Sequence, residues 1–244
     1  MCVGVLGKCG LLIWGNVRWR FGEMKIAVDT GPTPFTPQGP VDYCVGFESR
    51  AAFWPRFSAH AVQTGIQDPR CPRIVLIGDG AHGIWDDGAA SCGAAGRELV
   101  EIGDVYHAAE HLATVAHAVW GEGTPAAPTG WAQQRAAPLH AGPAPLFAAL
   151  APPNDAAPAV VTRDTASFRY HETRLHYPTY RARGRPIGSG PVEGACKVVL
   201  KQRLAQAGMR WRQAGAQAVT TLRARHRSGQ WDPLWATGTP GAAA

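Results

Sequence analysis

Ile74-Val75-Leu76-Ile77-Gly78-Asp79-Gly80 decides the fold. Four consecutive apolar residues fit a short strand buried on both faces, and the Gly-Asp-Gly that follows ends it in a turn. The pattern repeats downstream. Residues 99–102 read as a second strand, ending at Asp104. A helix is predicted over 105–120, with Ala108, Leu112, Val115, Ala116 and Val119 on its apolar side. Strands and helices in alternation, with an acid at each strand end, describe an α/β domain. Ligands of such sheets gather at the carboxyl ends of the strands, the edge that Asp79 and Asp104 occupy.

Upstream, residues 24–28 and 43–47 read as strands joined by a Pro/Thr-rich loop over 31–40. Ser49 can cap a helix carrying Phe53, Phe57 and Ala61 at helical spacing, with Pro55 tolerable in its first turns and Gly65 as its stop. Residues 1–21 are apolar but broken by Lys8 and several glycines, and read as an ill-defined segment, too short to span a membrane. Between 121 and 160 the composition changes: thirteen Ala and eight Pro, with only Glu122, Arg135 and Asp155 charged. That stretch reads as a disordered linker or eroded insertion. Structure is expected to resume near Ser167. A helix is predicted from Ser189 or Gly190 to Gly208, with Pro191 in its first turn, and another from 212 to 227. The expected organisation is a first core part over 22–120, the linker, a second core part with basic helices over 161–235, and a disordered tail over 236–244.

Charge is unevenly spread. Residues 163–227 hold fourteen Lys/Arg against three Asp/Glu, a net of +11 in a chain of net +6, so the remainder is acidic at −5. A block this basic suits a polyanion, most simply nucleic acid; the plain alternative is a solvated arginine-rich surface. The six cysteines have no C-x-x-C spacing, which argues against a zinc ribbon, and scattered thiols fit a reducing cytoplasm.

Within the basic block, Tyr180-Arg-Ala-Arg-Gly-Arg-Pro-Ile-Gly-Ser-Gly-Pro-Val-Glu-Gly-Ala-Cys-Lys197 holds a lone acid, Glu193, in the first turn of the predicted helix. Carboxylates from separate elements can hold hard cations such as Mg²⁺ beside a phosphate backbone. Each acid also has an ordinary reading: Asp79 as a turn residue, Asp104 as an N-cap, and Glu193 as an i,i+4 partner of Lys197. His107-Ala-Ala-Glu110-His111 fits the inverted zinc-protease pattern H-x-x-E-H, with two imidazoles as zinc ligands and Glu110 as general base. A histidine pair of this kind on a helix is more often structural.

Three motifs in order resemble a DDE-type insertion-sequence transposase of the ISKra type. They are Val75-Leu-Ile-Gly-Asp79-Gly-Ala-His-Gly-Ile-Trp85; Asp104-Val-Tyr-His107-Ala-Ala-Glu-His-Leu112; and Tyr177-Pro-Thr-Tyr180 with Pro186-Ile-Gly-Ser-Gly-Pro-Val-Glu193-Gly-Ala-Cys-Lys197, continued by Gln202-Arg-Leu204 and Gly208-Met-Arg-Trp211. The match covers about 22–120 and 167–235.

The resemblance implies an RNase H-like core: a mixed five-stranded sheet flanked by helices. The family's metal-binding acids lie on the first strand, after the fourth strand and on the last helix. Carried over, Asp79 is the acid after the fourth strand and Glu193 the helix acid. Asp104 and His107 match a D-x-x-H element with a supporting role; a second assignment makes Asp79, Asp104 and Glu193 the metal triad. The implied cofactor is Mg²⁺ or Mn²⁺. The implied partner is double-stranded DNA, as element ends and target, bound by a homo-oligomer in the bacterial cytoplasm at the nucleoid, with no membrane. Arg181, Arg183, Arg185, Lys197, Lys201, Arg203, Arg210 and Arg212 are the expected phosphate contacts. The first-strand acid has no counterpart, since residues 1–21 contain no Asp or Glu. The expectation is therefore an N-terminally incomplete, inactive copy. The competing functions are a non-catalytic DNA-binding remnant and the zinc hydrolase.

Overall fold

A computed structural model describes residues 9–19, 22–29, 41–65, 73–80, 82–92, 98–120, 139–150 and 159–236. Five strands form one sheet: β1 (Cys9–Trp19), β2 (Gly22–Asp29), β3 (Asp42–Gly46), β4 (Arg73–Gly78) and β5 (Glu98–Gly103), in the spatial order β3-β2-β1-β4-β5. β1 pairs antiparallel with β2, Asn16 opposite Lys25, and β2 pairs antiparallel with β3, Ile26 opposite Val45. β4 and β5 are neighbours joined through helix α2 (His82–Cys92), the kind of crossover that a parallel pair requires. The architecture is mixed α/β. Among the described residues no helix is long and apolar enough to cross a membrane.

The chain divides into two compact units: one of 1–76, 83–100 and 190–244, the other of 77–82 and 101–189. In the first unit, α1 (Arg50–Gln63) starts where Ser49 accepts the Ala52 N–H and stops at Thr64, before Gly65 in the left-handed region at φ 94°. Its Phe53, Trp54, Phe57 and Ala61 pack with Cys44 of β3, Ile74 and Leu76 of β4, and Ile84 and Trp85 of α2. The C-terminal run begins with α7 (Gly190–Ala195), continues as a π-helical stretch (Cys196–Lys201) and closes with an α turn (Gln202–Leu204). Helix α8 (Gln213–Arg227) lies on β3, burying Ala216, Thr220 and Ala224 at four-residue spacing. β3 is an edge strand, and side chains near the end of the chain fill its open hydrogen bonds. The Phe47 N–H donates to Gln217 Oε1 and the Tyr43 N–H to Ser228 Oγ, both at 2.9 Å. The short α9 (Trp231–Ala236) follows.

In the second unit, α3 (Val105–Trp120) buries Val105, Ala108, Leu112 and Val115, the face expected of it, and packs on α5 (Ala159–Tyr170). Helix α4 (Pro143–Leu150) also packs on α5, where the Arg169 guanidinium sits 4.8 Å from the centre of the Phe147 ring. A 3-10 turn (Glu172–Arg174) leads into α6 (Tyr177–Ala182).

Four expectations need correction. The segment 1–21, read as ill-defined, contains β1, which pairs with β2 from Leu12 to Trp19. The stretch 121–160, read as disordered, contains α4: Leu139, Leu146 and Leu150 are buried, and Pro143 stands at the helix start, where a missing N–H is harmless. The structure expected from near Ser167 is a helix that already runs from Ala159. Helix α2 was not anticipated, because Gly83 and Gly88 interrupt its pattern. Yet a Cβ at Gly88 would lie 2.2 Å from Leu76 Cδ2, so glycine is what admits the helix there. The loop 31–40 and the tail 237–244 lie outside the described residues.

Candidate metal and nucleic-acid site

Asp79 follows β4 directly and is half-buried. Its backbone is tied on both sides. The Gly78 carbonyl accepts the Asp104 N–H at 2.8 Å, so the ends of β4 and β5 are joined. The Gly80 carbonyl lies 3.1 Å from His171 Nε2, and Arg174 Nη1 lies 3.3 Å from His171 Nδ1. A guanidinium only donates, so Nδ1 accepts and Nε2–H is left to donate to Gly80. Arg174 is held in turn by Glu101 of β5, at 2.7 Å from Nε and 2.6 Å from Nη2. The sequence reading missed His171 and Arg174; nothing in their local pattern distinguishes them.

Asp104 is buried, 7 % exposed. Its Oδ1 accepts the Tyr106 N–H and the Ser189 N–H, each at 3.1 Å, and its Oδ2 accepts the Ser189 hydroxyl. The Val105 N–H reaches the Ile187 carbonyl at 3.0 Å. Asp104 therefore caps α3 and clamps the Ile187-Gly188-Ser189 loop at once. Gly188 fits because a Cβ there would lie 2.6 Å from the Tyr106 ring. Three donors engage its two oxygens, so Asp104 acts as a clamp between β5, α3 and the loop.

Two tyrosines brace the same region. Tyr177 OH donates to the Gly103 carbonyl at 3.0 Å, and Tyr180 OH to the Thr173 carbonyl at 3.0 Å. Burial, with Asp104 and Tyr180 adding to it, pushes the Tyr177 phenol far above its ordinary range, so it stays a donor.

Glu193 belongs to the other unit. It is exposed in the first turn of α7, and among the described ion pairs none joins it to Lys197. Lys197, Lys201, Arg203, Arg210 and Arg212 are exposed in that unit; Arg181 and Arg183 are exposed in the second. Arg185, named with them, is buried, and its backbone N–H donates to the Tyr180 carbonyl at 2.9 Å. Arg223 is also held inward: its guanidinium donates to the Val198 carbonyl at 3.1 Å and to Gln202 Oε1 at 2.7 Å. Burial raises the Cys44 and Cys196 thiols to about 11, so both are protonated and unreactive at neutral pH.

His107 and His111 lie one turn apart on α3, their Nε2 atoms 3.1 Å apart. Glu110 Oε2 is 3.8 Å from His107 Nδ1, behind the ring and away from the side on which Nε2 would meet a metal. Among the described residues no group of three or more His, Cys, Asp or Glu is placed to hold a metal ion. Comparison of the chain with protein-family models, curated proteins and solved structures finds no match.

Proposed function

We propose that the chain is, by descent, the RNase H-like core of a DDE-type insertion-sequence transposase resembling the ISKra type, and that as it stands it binds double-stranded DNA without cutting it. The observation that carries this reading is the placement of Asp79. It comes directly after the fourth strand of a five-stranded sheet flanked by helices, with its backbone held on both sides. Glu193 stands on a later helix among exposed cations. These are the two acid positions that the resemblance supplies.

Asp79 in one unit and Glu193 in the other are each an oxygen ligand of the kind that Mg²⁺ or Mn²⁺ takes. Such an ion, when bound, activates a water or a 3′-hydroxyl and neutralises charge on the leaving oxygen of a phosphodiester. The chain's own contribution is to fix the Asp79 loop and to offer Arg181, Arg183, Lys197, Lys201, Arg203, Arg210 and Arg212 to phosphates. The strand β1 carries no carboxylate anywhere from Cys9 to Trp19. With one acid absent, metal-dependent cleavage falls by a factor of ~10³ or more. The same observation favours the second reading, a non-catalytic DNA-binding protein.

The test is a nicking assay on supercoiled DNA in Mn²⁺, paired with duplex binding at several salt concentrations. Successive side chains of a strand alternate in face, so Asn16→Asp and Val17→Asp together put a carboxylate on each face of β1. We expect salt-dependent binding by the unmodified chain, no nicking, and nicking gained in one of the two variants. Asp79→Ala and Glu193→Ala, each added to that variant, should abolish the gain. If nicking survives both, these acids have no part in it; robust nicking by the unmodified chain overturns the inactivity.

A further inference from the structure

We propose that His107 and His111 form an open, two-imidazole binding site for Zn²⁺ on the surface of α3, backed by the buried carboxylate of Asp164. The site uses none of the acids of the phosphodiester reading, although His107 also belongs to the D-x-x-H element of that reading.

Geometry comes first. The Nε2 atoms face each other at 3.1 Å, with the rings at 81° and their centres 4.6 Å apart. A cation about 2.0–2.1 Å from two nitrogens sets them about 2.9 Å apart at a right angle and about 3.4 Å apart at the tetrahedral angle. The observed separation lies between these, so a cation needs little movement of either ring.

The second observation is Asp164, on α5. It is 1 % exposed. Arg163 Nε donates to its Oδ1 at 2.7 Å, while Oδ2, buried and without a hydrogen bond, lies 3.4 Å from His111 Nδ1. A carboxylate behind an imidazole favours Nδ1–H and turns the Nε2 lone pair outward, the arrangement found behind metal-ligating histidines. Glu110 stands 3.8 Å behind His107 Nδ1 in the same sense, though it is exposed and counts for less.

If both imidazoles keep Nδ1–H toward their carboxylates, two Nε2 lone pairs oppose each other at 3.1 Å. A proton or a cation must lie between them. A late first-row divalent ion is the stronger partner for imidazole near neutral pH, and Zn²⁺ is the representative that needs no redox chemistry. Phe168 meets His111 edge to face, their ring centres 6.3 Å apart. The His107 and His111 side chains remain 39 % and 34 % exposed, so solvent reaches the site. The chain supplies two ligands there, leaving the remaining positions to water or an added ligand, as in sites that keep an open position.

The experiment uses the full chain and Zn²⁺ alone, titrated at neutral pH against a chromophoric zinc chelator. We expect one tightly bound equivalent, lost in both His107→Gln and His111→Gln and weakened 10–100-fold in Asp164→Asn. His107 is partly exposed, so its variant should keep the fold, checked by circular dichroism. Zinc-edge X-ray absorption of the unmodified chain depends on no variant and should show imidazole nitrogen and light-atom neighbours. No stoichiometric binding, binding retained in either histidine variant, affinity unchanged in Asp164→Asn, or sulfur in the zinc shell each overturns the proposal.

Discussion

Two buried carboxylates in the same unit face opposite situations. At the end of β5, Asp104 meets three donors with its two oxygens, and each bond ties one stretch of chain to another. On α5, Asp164 is more deeply buried, yet one oxygen has no donor and looks onto an imidazole. Burial alone does not tell what an acid is for. A filled carboxylate holds the fold; a half-filled one, desolvated at some cost, is left to act on whatever it faces.

The sharpest way to break this contrast is to change the two acids separately. Asp104→Ala strands two backbone N–H groups and a hydroxyl in a buried place, and should lower stability by about 3–5 kcal/mol in urea denaturation. Asp104→Asn should cost far less, about 1–2 kcal/mol. Its amide oxygen can accept the two N–H groups, its NH₂ can donate to Ser189 Oγ, and the serine hydroxyl can turn to suit. Equal losses in the two variants would show that the negative charge, not the hydrogen-bond geometry, carries the clamp.

Gly188→Ala probes the same clamp from its other side. The new Cβ would stand 2.6 Å from Tyr106 Cε2 and 3.2 Å from Val105 Cγ1. Overpacking of this kind costs about 1–3 kcal/mol. Tyr106 is exposed, so Tyr106→Ala should recover part of the loss in the double variant. Strictly additive losses would place the strain elsewhere.

The clamp also marks how far the sequence can be read. Helix α3, its Asp104 cap and the Ser49-to-Gly65 helix were legible because each rests on neighbours within a turn or two. So were β4 and β5, as apolar runs. The bond from Asp104 to Ser189 spans 85 residues, and His171 to Gly80 spans 91; no local pattern announces either. Asp164, between Arg163 and Thr165, looks like any solvated helix acid until α5 is laid against α3. The alanine–proline stretch misled for the opposite reason: its composition is that of a linker, while three leucines within it are buried. Arg185 reads as one of a row of arginines and is the member the fold turns inward.

The third imidazole environment gives the smallest effect and the cleanest control. His60 of α1 is half-buried, with its Nε2 buried and lacking a hydrogen-bond partner. Desolvation holds its pKa below the ordinary 6.5; Asp42 pulls it back up, while Arg56 and Arg225 push it further down. The folded chain then refuses a proton that the unfolded chain accepts. Stability should fall as pH drops through 6.5 and level off once the folded group also titrates. Asp42 works the other way: burial raises its pKa above 3.8, so the folded state takes up its proton first and gains stability as pH falls further. Urea midpoints between pH 7.5 and 5.5 should therefore decline more in the parent chain than in His60→Gln, with unchanged denaturant slopes. Identical declines would mean that His60 reaches solvent or a proton acceptor. With its Nε2 unpartnered, the half-buried His60 only resists charge, whereas His111, with Asp164 behind it, is set to share its outer nitrogen.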